Sequence, residues 1–120
     1  MTPEWIVPGV KWERVGSRVT CNPAPADTDE DFLVYDKFFL QTSALMRNGF
    51  ILESYGHLDS KFKSYRKGDT NVIVTPNKEF YTDFLFATRV AKKLNLLEKK
   101  DRVTLFEAIM SRTVEENIPC

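Results

Sequence analysis

Histidine is nearly missing from this chain. His57 is the single one in 120 residues, so a zinc centre rich in histidine and cysteine has no supply of ligands. Cysteine is scarce as well. Cys21 and Cys120 are not spaced as a redox or zinc pair, and they read as free thiols in a reducing compartment. Net charge is absent: 17 Lys and Arg balance 17 Asp and Glu. Whole-molecule electrostatics therefore give no pull toward nucleic acid, and any phosphate binding must come from a local patch or a metal. No run is long and apolar enough to span a bilayer. The N-terminus "MTPEWIVPGVKWERV" also lacks the basic start and apolar centre of a signal peptide, which predicts a cytoplasmic protein with no membrane partner. No repeat, low-complexity tract or linker divides the chain, so residues 1–120 are expected to form a single domain.

What is present is a pattern of short strands and amphipathic helices. Met1 to Gly9 carries two prolines and reads as an extended arm. "VKWERV" (Val10 to Val15) alternates apolar and polar residues as a strand does, and Gly16-Ser17 closes it with a turn. Pro23 and Pro25 keep the next segment out of helix and central strand. "FLVY" (Phe32 to Tyr35) is a short apolar run rich in β-formers and predicts a buried strand. "KFFLQTSALMRN" (Lys37 to Asn48) places Phe38, Phe39, Leu45 and Met46 at helical spacing, with Gly49 as its C-cap. "FKSYR" and "NVIVT" flank the turn-rich "KGDT" and predict a hairpin that Pro76 ends. From Lys78 to Leu97, Phe80, Phe84, Ala87, Val90, Ala91 and Leu94 form one helical stripe. A last helix follows, with Asp101 as its cap and Val103, Phe106, Ile109 and Met110 facing in. The class is α+β: a small mixed sheet of about three to five strands backed by helices.

The chemistry-bearing stretch is "DTDED", Asp27 to Asp31, set directly against "FLVY". Asp29 and Asp31 are two apart, and strand side chains alternate, so both point to one face if the strand begins by Asp29. Glu30 points the other way. Two carboxylates that close repel each other unless a proton or a cation intervenes. Magnesium or manganese, which prefer oxygen ligands, suit the pair. Acidic clusters before strands are commonly solvated loops or caps, and Gly-Ser is common turn chemistry; neither signal carries a function alone.

Together, Gly16-Ser17, the intervening dozen residues, Asp29-x-Asp31 and "FLVY" resemble the signature of the nucleotidyltransferase superfamily, which includes DNA polymerase beta, the CCA-adding enzymes and the minimal nucleotidyltransferases. "GSR-TCNP" and "YRKGD-N-IVT" are also similar to small phage-encoded proteins of this type. The resemblance covers roughly Val10 to Val74 and implies a nucleotidyltransferase-like fold. It implies further that Asp29 and Asp31 hold two metal ions, while Gly16 and Ser17 approach a nucleoside triphosphate. Arg18, Arg66 and Lys67 are cations within reach of such a triphosphate; the alternative is that Arg18 and Lys67 are solvated or paired with Asp27 or Asp69.

The sequence departs from that family in two places. The third acid falls where this chain has Asn71, a neutral residue that ligates metal only weakly through its carbonyl oxygen. Asp69, two residues earlier, is the substitute. "RVTCNPAPA" stands where many relatives carry a helix that helps bind phosphate. Two functions follow. One is metal-dependent transfer of a nucleotidyl group to a hydroxyl, with Asp29, Asp31 and Asp69 catalytic and an acceptor such as RNA or a host protein. The other is a non-catalytic nucleotide- or protein-binding accessory protein on the same fold. A third reading leaves the aspartates as the loop of an unrelated small interaction domain. The basic stretch "AKKLNLLEKKDR" is read as a solvated face.

Overall fold

In the computed structural model, residues 2–24, 29–38, 40–55 and 62–116 are described. Asp27, Phe39, His57 and Cys120 lie outside them. Among the described residues nine elements follow in chain order: β1 (Lys11–Val15), α1 (Ser17–Thr20), β2 (Glu30–Tyr35), α2 (Leu40–Arg47), β3 (Ile51–Tyr55), β4 (Lys63–Lys67), β5 (Thr70–Thr75), α3 (Lys78–Leu94) and α4 (Lys99–Glu116). The strands form one mixed sheet in the order β1-β2-β5-β4-β3. Among the described strands only β2 and β5 pair in parallel.

The alternation of strand side chains divides the core in two. On one face, Phe32 and Val34 of β2, Tyr65 of β4, and Val72 and Val74 of β5 pack with Leu45 of α2, Phe50 and Ile6. On the other face, Val15 and Leu33 pack with Tyr81, and Phe80, Phe84 and Leu85 of α3 close over them. Burying side chains such as Leu33 and Val34 completely stabilises the fold by about 1.5–3 kcal/mol each. Because β2 and β5 are covered on both faces, the continuous apolar runs "FLVY" and "VIV" suit them.

The N-terminal arm is tied down. Trp5 meets Phe32 edge-to-face with ring centres 5.0 Å apart. Gln41 of α2, fully buried, donates from its amide nitrogen to the Trp5 carbonyl, while its Oε1 accepts from the Val7 N–H at 2.8 Å. Asp36, just past β2, uses both carboxylate oxygens on the first free N–H groups of α2, accepting from Leu40 at 2.9 Å and Gln41 at 2.7 Å. Those groups have no partner within the helix, so the cap replaces water.

The helices differ in detail from the sequence expectation. α2 starts at Leu40, leaving Phe38 ahead of it and 74% exposed; Met46 is also outward. The α3 stripe buries Ala87 and Ala91, but Leu94 points to solvent where the helix runs past the sheet. In α4, Phe106 meets Phe84 at 5.0 Å, whereas Val103 is exposed and Asp101 sits inside the first turn rather than at the cap. α4 rests on α3, not on the sheet, so less of its apolar side finds a partner.

Candidate functional site

The site forms where β1 ends and β2 and β5 begin. Register places Val15, Asp31, Asn71 and Arg66 across four neighbouring strands, since Asp31 pairs with Val15 and Asn71, and Asn71 with Arg66. Asp31 shares its face with Leu33, and Arg66 and Ser64 share theirs, opposite to Tyr65. All of these project on the side that α3 covers.

Gly16 stands directly against Asp31. With φ 82° and ψ −177° it occupies backbone space essentially restricted to glycine. A Cβ there would stand 2.1 Å from Asp31 Oδ2, so the missing side chain is what lets the turn close against the carboxylate. The expected turn also opens a helix. Ser17 begins α1, whose single turn is held by Val19 and Thr20 N–H groups donating to the Gly16 carbonyl at 3.0 and 3.1 Å. A short helix therefore runs from Ser17 into the start of "RVTCNPAPA", where the sequence pattern gave none.

Asn71 is fixed in one orientation. Its Oδ1 accepts from the Ser64 hydroxyl at 2.7 Å. Its amide nitrogen is then the end that bonds to the Asp31 carboxylate, because an ionised carboxylate only accepts. The position that the family pattern reserves for a third acid presents an N–H donor instead. Burial pushes the Asp31 carboxyl above the ordinary carboxylate range. The Asn71 bond opposes this, Asp29 adds to it by repulsion, and Arg66 and Arg18 pull it down.

Asp29 lies one residue before β2 and pairs with Arg66, whose Nη2 stands 3.0 Å from Asp29 Oδ2. The Arg66 Nε donates to Glu53 Oε2 of β3 at 2.5 Å. Glu53 carried no sequence signal, because β3 itself was not read from the pattern "ILESY". Only the pairing of β4 with β5 brings the Ser64 hydroxyl to Asn71.

Two expected members stand apart. Asp69 is exposed in the β4–β5 turn, and its backbone carbonyl, not its carboxylate, meets β2 by accepting from Glu30 N–H at 2.8 Å. Lys67 turns to the opposite face, donating to the Asn48 carbonyl at 2.7 Å and lying 6.0 Å over the Phe50 ring. Arg66 and Lys67 are adjacent on a strand, so one cannot join the other at the aspartates. Among the described residues, no three Asp, Glu, His or Cys side chains gather as a metal centre. Asp29 and Asp31 are the carboxylates that would hold a magnesium or manganese ion, metals that prefer oxygen ligands. A shallow open depression bordered by Ile51, Glu53, Arg66 and Gly68 adjoins this array.

Comparison of the chain with protein-family models, with curated proteins and with solved structures found no match.

Proposed function

We propose that this protein binds a nucleoside triphosphate with one magnesium or manganese ion, through Asp29, Asp31 and the Gly16-Ser17 turn, in a nucleotidyltransferase-like site. The observation that supports this reading is the contact of Gly16 with Asp31, with Asp29 near enough for its charge to act on Asp31. A buried carboxylate next to a second one is relieved by a cation. Arg18 and Arg66 supply positive charge on the same side for phosphate oxygens. Binding is favoured over transfer because Asn71 presents an N–H donor toward Asp31 where a third acid would complete the site.

Nucleotidyl transfer is the second reading. The bound ion would neutralise phosphate charge, and the chain's own contribution would be position: Asp31 held between the Gly16 turn and Asn71, and the triphosphate steered by Arg18. The acceptor would be a hydroxyl brought by RNA or by a host protein.

Thermal unfolding with metal and nucleotide tests the first reading. A ligand at 100 times its Kd adds about 2.7 kcal/mol. Magnesium or manganese is expected to raise the Tm of the parent, a triphosphate to raise it further, and Asp31→Asn to respond to neither. No response of the parent under any nucleotide removes the reading and leaves protein binding. Labelled triphosphate separates the two readings: binding without product in the parent, with product from Asn71→Asp, fits the binding protein, and product from the parent establishes transfer.

A further inference from the structure

We infer that Arg66 is the site's built-in counter-cation, and that a divalent ion enters by displacing it from Asp29 while it stays on Glu53. This rests on the cation-dependent reading above. The guanidinium uses different nitrogens for its two partners: Nη2 lies 3.0 Å from Asp29 and Nε 2.5 Å from Glu53. One contact can therefore break while the other holds. Arg66 is anchored on β4 opposite Asn71 and also opposite Ile51 of β3, so it spans from the aspartates to the sheet edge. Its side chain is 34% exposed, and Glu53 is 48% exposed, which leaves room for the fork to turn toward the edge.

Charge balance gives the reason for the exchange. Asp29, Asp31 and Glu53 bring three negative charges, and Arg66 and Arg18 bring two positive ones. Adding a doubly charged ion with Arg66 still on Asp29 would crowd two cations onto one carboxylate. Releasing Asp29 while keeping Glu53 sets the divalent ion against the two aspartates and Arg66 against Glu53. At rest, Arg66 is paired with Asp29, and its charge also acts on Asp31. Glu53 then has a role that packing does not supply: it is the second seat of Arg66.

The test is calorimetric titration of Mn²⁺ alone, with no nucleotide, into the parent, Arg66→Gln, Glu53→Gln and Asp31→Asn, each checked for a native circular dichroism spectrum. Removing the competing cation is expected to tighten Mn²⁺ binding by about two- to fivefold in Arg66→Gln, the range an exposed ion pair sets. Glu53→Gln takes away the second seat and is expected to weaken binding. Asp31→Asn is expected to abolish it. Tighter binding in Arg66→Gln, including binding seen there and not in the parent, supports the inference. Binding in Arg66→Gln equal to or weaker than in a parent that does bind overturns the exchange and leaves the cation site standing. Absence of Mn²⁺ binding in the parent and in Arg66→Gln alike overturns both.

Discussion

Gly16 shows how one missing side chain can shape a site. Its φ of 82° is costly for any other residue, and the Asp31 carboxylate fills the space where a Cβ would go. Gly16→Ala is expected to destabilise the protein by at least ~1–3 kcal/mol from backbone strain alone. The clash should also displace Asp31, so the variant should lose its metal response even at temperatures where it stays folded. Chemical denaturation and Mn²⁺ titration of the same sample check both statements.

Asp31 makes a second prediction at this scale. Burial, then Asp29, raise its pKa in the folded protein against the pull of Asn71, Arg66 and Arg18. A folded-state pKa above the unfolded one means the native state holds the proton more tightly. Stability then falls as pH rises from the unfolded pKa through the folded one, and the charged carboxylate is a net cost above that window. Without metal, Asp31→Asn is therefore expected to have a higher Tm than the parent at pH 7, with the gain shrinking as the pH drops toward the unfolded carboxylate value. Asparagine can still accept from Asn71, so the polar contact survives. A lower Tm of Asp31→Asn at pH 7, with a deficit that shrinks at acid pH, would show instead that the ionised carboxylate stabilises the fold.

At the scale of elements, the end of α3 is joined to the loop after α1 by side chains. Asn95 adopts the left-handed conformation with φ 49° and ends the helix. Its amide then bonds both backbone groups of Asn22, accepting from the N–H at 2.9 Å and donating to the carbonyl at 3.1 Å. Arg102 of α4 reaches the same corner, donating to the carbonyls of Leu96 and Leu97 at 2.9 and 2.8 Å and to Cys21 Sγ at 3.2 Å. Cys21 is buried beneath these contacts. Asn95→Gly keeps the helix end and loses the link; Asn95→Ala loses both. Asn95→Ala is expected to cost about 1–2 kcal/mol, and Asn95→Gly less than Asn95→Ala because glycine accepts φ > 0. Both should speed labelling of Cys21 by a thiol reagent. Unchanged labelling in both would mean that Arg102 and the core shield the thiol without Asn95.

At the scale of the whole molecule, the sheet is strongest in its middle. β2 and β5 are bonded on both sides and covered on both faces, whereas β3 and β1 are edges. β3 also loses register between Leu52 and Ser54 and leaves Ile51 72% exposed. Hydrogen exchange is expected to be slowest for amides of β2 and β5, approaching global unfolding, and fastest among the strands for β3. The site straddles this gradient: Asp31 and Asn71 stand on the stable pair, and Arg66's partner Glu53 on the weak edge. Exchange in β3 as slow as in β2 would contradict the picture, and with it the freedom that the Arg66 exchange requires.

Local pattern by itself determined the α+β class, the buried β2, the β4–β5 hairpin and the long helix α3. Each rests on short-range physics: alternation, apolar periodicity, and the stops set by glycine and proline. It did not by itself place Asp29 and Asp31 on one face: a spacing of two does so only within a strand, and β2 begins at Glu30. Strand order came only from the tertiary structure, since nothing local says that β2 lies beside β5 rather than β4. That order makes Asn71 the neighbour of Asp31, gives Ser64 the task of turning the Asn71 amide, and sends Lys67 to the far face while Arg66 meets Asp29. β3 escaped the pattern because, as an edge strand with a bulge, it is held by backbone pairing to β4 and not by an apolar repeat of its own. The partners of a charged side chain depend on which strands pair, and pairing is decided by burial of the whole sheet between its two cores.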